Sequence, residues 1–192
     1  MNKATKANFT NIMHSEKTDF EIIAQHFNEF KKGHVQRVID HLLLLKNDHG
    51  GFPVDRLTHC LQTATLAYQD GRDEEYIVCA LLHDIGDTLA CYNHADLAAT
   101  LLEPFISEKN YWMLKHHGIF QGYYFFHHIG LDRYQCEKYK DHPYYEYTSE
   151  FCFKYDSPAF NQDMEMLPLE FFIPMLNNII STPKKSIYKD IK

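Results

Sequence analysis

The side chains here with the clearest capacity for chemistry are imidazoles and carboxylates that recur along apolar helical stretches: His59, the adjacent His83 and Asp84, His94, His117 and Asp156. Imidazole offers a neutral nitrogen ligand, and a carboxylate has two oxygens that can bridge two cations about 3.5–4 Å apart. An adjacent His-Asp pair at a helix end can aim both side chains at one point, and Gly86 frees the backbone just beyond it. Four histidines and two aspartates suffice for two octahedral ions with positions left open for water, substrate or dioxygen; a single tetrahedral zinc needs fewer. Composition leans the same way, since thirteen histidines stand against four arginines, and arginine is the usual clamp for phosphate and carboxylate. The five cysteines are widely spaced and form no CxxC, so they read as buried reduced thiols and not as zinc ligands or disulfides.

These groups need a scaffold, and the apolar periodicity supplies a helical one. Phe20, Ile23, Phe27 and Phe30 fall at helical spacing, and Val35, Val38, Ile39, Leu42 and Leu45 continue it until Asp48 to Gly51. Residues 55–69 repeat the pattern with Leu57, Leu61, Ala64 and Tyr68 and end at Gly71, which places His59 inside a helix. Asp73 caps the next helix, whose Ile77, Ala80, Leu81 and Leu82 lead to His83 and Asp84 at its end. His94 precedes a helix marked by Leu97 and Leu101, and His117 closes one that runs from Ser107 through Trp112 and Leu114 to Gly118. Pro143 opens a helix carrying Tyr144, Tyr147, Phe151 and Tyr155 ahead of Asp156, and a last helix near Leu169 to Ile180 is interrupted by Pro174. No stretch alternates with period two, so the expected fold is all-α, one helical bundle with the metal site at its centre. The expected division is a flexible tail over 1–18, the helical domain over 19–181 and a second tail over 182–192.

The bulk properties exclude several classes. A chain of 192 residues is the size of one domain and buries about two-thirds of its unfolded surface, so it needs no disulfide to fold. Its longest aliphatic run is Leu42 to Leu45, far short of a membrane span. With 26 acidic residues against 19 basic ones, a net charge of −7 and dispersed lysines, it lacks the basic face that nucleic acid requires. The polar N-terminus has no apolar core of signal-peptide length, which makes the cytoplasm the expected compartment.

Within this frame the sequence resembles the HD-domain metalloproteins, whose ligands run in the order His, His-Asp, Asp. The resemblance covers about residues 52–176 and rests on His83-Asp84-Ile85-Gly86 inside an apolar helix and on the order LTHCLQTA, ALLHDIG, NHADLAATLL, LKHHG, KYD. Within that superfamily it looks most like the small mixed-valent diiron oxygenases of the 2-amino-1-hydroxyethylphosphonate dioxygenase type, with inositol oxygenase more distant. The resemblance implies one iron on His59, His83, Asp84 and Asp156, with Asp84 bridging to a second iron on His94 and His117. It implies a Fe(II)/Fe(III) pair, dioxygen as co-substrate and oxidative C–C or C–P cleavage of a small hydroxylated compound. The alternatives are an HD phosphohydrolase using Mn, Co or Mg on a nucleotide or phosphomonoester, and a metal- or metabolite-binding module without turnover. His116 competes with His117 as ligand, since the two are adjacent at a helix end; His127, His128 and His142 are expected to be non-ligands.

Departures from the pattern bear on the substrate. Asp87 stands where many members carry Lys or His, and a carboxylate there would repel a phosphate or phosphonate by roughly 4 kcal/mol per charge pair at ~4 Å and an effective dielectric of about 20. Gln121 replaces the lysine one turn after the last histidine, and Gly51 to Val54 lack the tyrosine and glutamate found before the first. Sixteen of the 28 aromatic residues lie between Tyr111 and Phe160. Such rings can form an apolar lid or cage a quaternary ammonium group, with Asp87 as counter-charge. Asp87, Gln121, Tyr124 and Arg133 are therefore the expected substrate contacts.

Overall fold

The structure is a computed structural model that describes residues 6–188. No strand occurs among them, and the fold is a single all-helical domain. Helix α1 (Lys17–Lys32) starts at a capping box between Glu16 and Asp19 and gives way at Gly33 to α2 (His34–Leu42). The two behave differently. α2 buries Val35, Val38, Ile39 and Leu42, whereas α1 buries nothing: Phe20, Ile23, Phe27 and Phe30 keep an exposed apolar stripe, partly covered by the Arg37 guanidinium over the Phe30 ring and by Tyr188 edge-on to Phe27.

The centre of the domain is α3 (Arg56–Gln69) packed against α4 (Glu74–Leu82). Both begin as the capping residues dictate, with the Asp55 carboxylate accepting from Thr58 N–H and the Asp73 carboxylate from Tyr76 N–H. Residues 76 to 82 are buried all round, which identifies α4 as the innermost helix. After α4 the chain makes a run of tight turns and re-enters as α5 (His94–Leu102), which packs on α6 (Glu108–Phe125).

α6 departs from expectation. It does not stop at Gly118 but continues to Phe125, so His117 lies in mid-helix. Of its two glycines, Gly122 serves close approach instead of termination. A Cβ on Gly118 would make only an ordinary contact with His94 Nε2 at 3.8 Å, whereas one on Gly122 would overlap the Phe126 ring.

α7 (Tyr145–Phe151) runs on into one π-helical turn over Cys152–Asp156, closed by Ser157 N–H donating to the Cys152 carbonyl at 2.8 Å. α8 (Leu169–Ile180) buries Phe172, Leu176 and Ile180 and packs along α4 and α2. It passes through Pro174 without ending there, because the packed face outweighs the one backbone bond that proline removes. Beyond residue 181 the chain is tied to the body: the backbone N–H groups of Lys184 and Lys185 donate to the Pro104 carbonyl, and the Lys184 ammonium pairs with Glu75. No described helix is long and apolar enough to cross a membrane.

Candidate metal centre

Five segments converge on one point: α3 brings His59, the end of α4 brings His83 and Asp84, the start of α5 brings His94, mid-α6 brings His117, and the π turn brings Asp156. Asp84 lies in the middle and its two oxygens face opposite ways. Oδ2 is 3.5 Å from His59 Nε2 and 3.4 Å from His83 Nε2, while Oδ1 is 3.3 Å from both His94 Nε2 and His117 Nε2. Asp156 Oδ1 completes the first side at 3.2 Å from His59 Nε2 and 3.8 Å from His83 Nε2. The structure thus brings all six expected ligands together, three on one side of Asp84 and two on the other.

Hydrogen bonding behind the rings fixes which nitrogen is free. His59 Nδ1 meets the Ala159 carbonyl at 2.9 Å, His83 Nδ1 the Ala80 carbonyl at 2.8 Å, and His117 Nδ1 the Leu114 carbonyl at 2.6 Å. A carbonyl only accepts, so each Nδ1 carries the proton and each Nε2 turns a lone pair inward. His59 Nε2 and His83 Nε2 then face each other at 3.0 Å, and His94 Nε2 and His117 Nε2 at 3.3 Å. Two inward lone pairs at that distance repel unless a proton or a cation lies between them. Asp156 Oδ2 is buried without a hydrogen-bond partner among the described residues. The donor spacings also match the edge of an octahedron with bonds of about 2.1 Å, whose neighbouring ligands lie ~3 Å apart. The residues fit a pair of bound cations.

The electrostatics agree. Burial works against charge on His59, yet Asp156 and Asp84 hold its imidazolium up to about 9. Burial likewise opposes charge on Asp84, and His83, His117 and His94 hold its carboxyl well below the usual range. This is a buried carboxylate surrounded by nitrogen bases, and it demands positive charge from protons or metal. A Phe160 ring stacked on His59 at 4.3 Å, itself stacked on Phe52, closes the far side to water.

The remaining expected residues separate. Gln121 donates its amide to Asp156 Oδ1 at 3.0 Å and accepts from the Ser157 hydroxyl at 2.7 Å, so it holds a ligand candidate. Tyr124 lines a cavity of about 180 Å³ together with Phe120, Tyr123, Tyr145, Glu137 and Cys152. None of the residues lining that cavity is among the six expected ligands; Cys152, one of the lining residues, donates its thiol to the His117 backbone carbonyl. Arg133 lies over the Tyr123 ring at 4.3 Å. Asp87 differs from expectation: one oxygen meets His94 Nδ1 and the other the Arg56 guanidinium, which leaves it no free edge as a counter-charge. Its closeness to Asp84 and His94 also makes it part of a third group of potential ligands. His116 turns away from the centre and stacks on Trp112 at 4.1 Å, with His142 on the same indole, whereas His117 Nε2 faces Asp84.

Sequence reasoning missed Arg56 and Phe160. Arg56 was legible in principle, since it lies one helical turn before His59 on the same face of α3. Phe160 carried no signal, because it meets His59 from about a hundred residues along the chain.

Comparison with known proteins bears on this geometry. A 36-residue stretch is 61% identical to the [1-hydroxy-2-(trimethylamino)ethyl]phosphonate dioxygenase (glycine-betaine-forming) of Leisingera caerulea; it covers 19% of this chain and spans only 18% of that protein's length. The HD domain family matches residues 56–152, the stretch from the start of α3 to the end of α7 that contains His59, His83, Asp84, His94 and His117. The chain therefore belongs to the HD domain family, whose members are mostly metal-dependent enzymes.

Proposed function

We propose that the protein is a diiron oxygenase that cleaves a small hydroxylated substrate, one carrying an ammonium group, with dioxygen. The observation that carries this reading is the division of Asp84, whose two oxygens each face a separate pair of inward imidazole lone pairs. One ion on a tetrahedral site needs no such bridge. When bound, an iron pair would supply one-electron chemistry and adjacent open positions for substrate and dioxygen.

The chain's own residues do the rest. Backbone carbonyls at Ala159, Ala80 and Leu114 fix the tautomers of His59, His83 and His117, so no ring turns when a ligand exchanges. Gln121 and Ser157 keep Asp156 aimed at His59. Phe160 and Phe52 exclude water behind the first imidazole pair. The cavity lined by Tyr124, Tyr145 and Glu137 supports the ammonium group, with aromatic rings for its walls and Glu137 for the negative charge that Asp87 cannot supply. The trimethylamino group in the relative's substrate supports the same class.

The test is metal analysis joined to low-temperature EPR of aerobically purified, partly reduced protein. A mixed-valence diiron signal that shifts on adding a hydroxylated trimethylammonium compound is the expected result. A single non-iron metal with anaerobic turnover of a phosphomonoester would overturn it in favour of phosphohydrolysis.

A further inference from the structure

Three of the four inward imidazoles are held by backbone carbonyls, and the fourth is not. His94 is the first residue of α5, where no preceding helical turn offers a carbonyl to its ring. Its Nδ1 instead meets Asp87 Oδ1 at 3.2 Å. Asp87 is held in turn by Arg56, whose Nη1 donates to Asp87 Oδ2 and whose Nε lies 3.3 Å from Asp48 Oδ2. The Asp87 side chain is 9% exposed and Arg56 26%, so this chain of charges runs inward from the surface loop before α3. The backbone joins in: a Cβ on Gly86 would come within 2.5 Å of the His94 carbonyl, so only glycine lets the two segments meet.

We propose that Asp87 and Arg56 are positioning residues of the His94–His117 half of the centre, acting through His94 and not on the substrate. In this role Nδ1–H donates a hydrogen bond to the Asp87 carboxylate 3.2 Å away, which turns the Nε2 lone pair toward Asp84 Oδ1 and makes the imidazole a stronger metal donor than a carbonyl partner would. The same carboxylate is only three residues from Asp84, and the Arg56 guanidinium offsets that like charge and prevents Asp87 from swinging inward as a competing ligand. The inference rests on the two-metal reading above.

The experiment titrates metal-free protein with Co²⁺, following heat and visible absorption, in the wild type and in Asp87→Ala, Asp87→Asn, Arg56→Ala and the double alanine variant. Circular dichroism first confirms that each metal-free variant is folded. Wild type takes up two ions. Asp87→Ala and Arg56→Ala weaken one of the two events about 10–100-fold and leave the other unchanged. Asp87→Asn, which keeps an acceptor for Nδ1, recovers much of that loss. The double variant is no weaker than Asp87→Ala, since Arg56 acts through Asp87. In the Co²⁺ protein, the shifted exchangeable proton signal of His94 disappears in Asp87→Ala. Equal weakening of both events, weakening of neither, or a double variant that falls by the product of the two singles overturns the inference alone. A wild type that binds fewer than two ions overturns the two-metal reading and this inference with it.

Discussion

The two sides of Asp84 are built by different means. The His59, His83 and Asp156 side comes from the interior of α3, the end of α4 and a π turn, and its side chains are 5%, 0% and 3% exposed. The other side pairs buried His117 with His94, which starts a helix after a run of turns and is 29% exposed. One side is set by the packed core, the other by a reachable segment held with charges. On the proposed two-ion reading the difference divides the labour: the deep side would retain its ion, and the reachable side would be where ligands come and go.

Asp84→Ala removes the one group common to both sides and has the largest expected effect. Both ions are lost and oxygen-dependent turnover falls to background, read by metal content per chain. Retention of either ion at wild-type affinity would refute the bridging role. Gly86→Ala comes next, since the added Cβ meets His94 backbone at 2.5 Å and the backbone must move. It lowers stability by about 1–3 kcal/mol in denaturant melts and costs the reachable side its ion before the deep one. His94→Ala empties the reachable side and leaves the deep ion in place, so metal content falls by half. Loss of both would show that the two sides are a single cooperative unit. Phe160→Ala probes the deep side alone: it removes the ring stacked on His59, costs about 1 kcal/mol of stability and speeds release of the deep ion to a chelator.

The smallest effect is a control that favours neither side. Burial alone would raise the Glu75 carboxyl, but Lys184, Ser107 and Asn110 hold it down to about 2. The stability it contributes is full above its usual 4.5 and is lost as the pH falls through about 2. Glu75→Gln should flatten the acid end of the stability profile without changing metal stoichiometry at neutral pH.

The scaffold was legible where the signal is local. Asp55 and Asp73 start their helices, His83-Asp84 ends one, and the absence of period-two alternation gives the helical class. What escaped depends on approach between distant segments. Gly118 reads as a stop in isolation but lies inside α6, and Gly122 yields to the Phe126 ring. Asp87 reads as a free anion because nothing in its neighbourhood of sequence announces Arg56, which lies 31 residues earlier. The apolar stripe of α1 was legible as a helix, but periodicity cannot say whether a neighbour covers it.

The π turn at Cys152–Asp156 gives this chain a length constraint that no other ligand imposes. A π turn holds one residue more than an α turn, so removing any one residue from it restores α geometry and rotates the downstream chain by about 100°. Asp156, at the end of that turn, would then leave His59, while every side chain of the centre kept its identity. Conversely, substitutions at the exposed Phe153 and Lys154 leave the aim intact as long as the count is kept, whereas Cys152 and Tyr155 are also fixed by burial. Relatives that share this architecture should therefore tolerate change of residue at the exposed positions of this turn far better than change of number, with insertions and deletions displaced into the turns on either side.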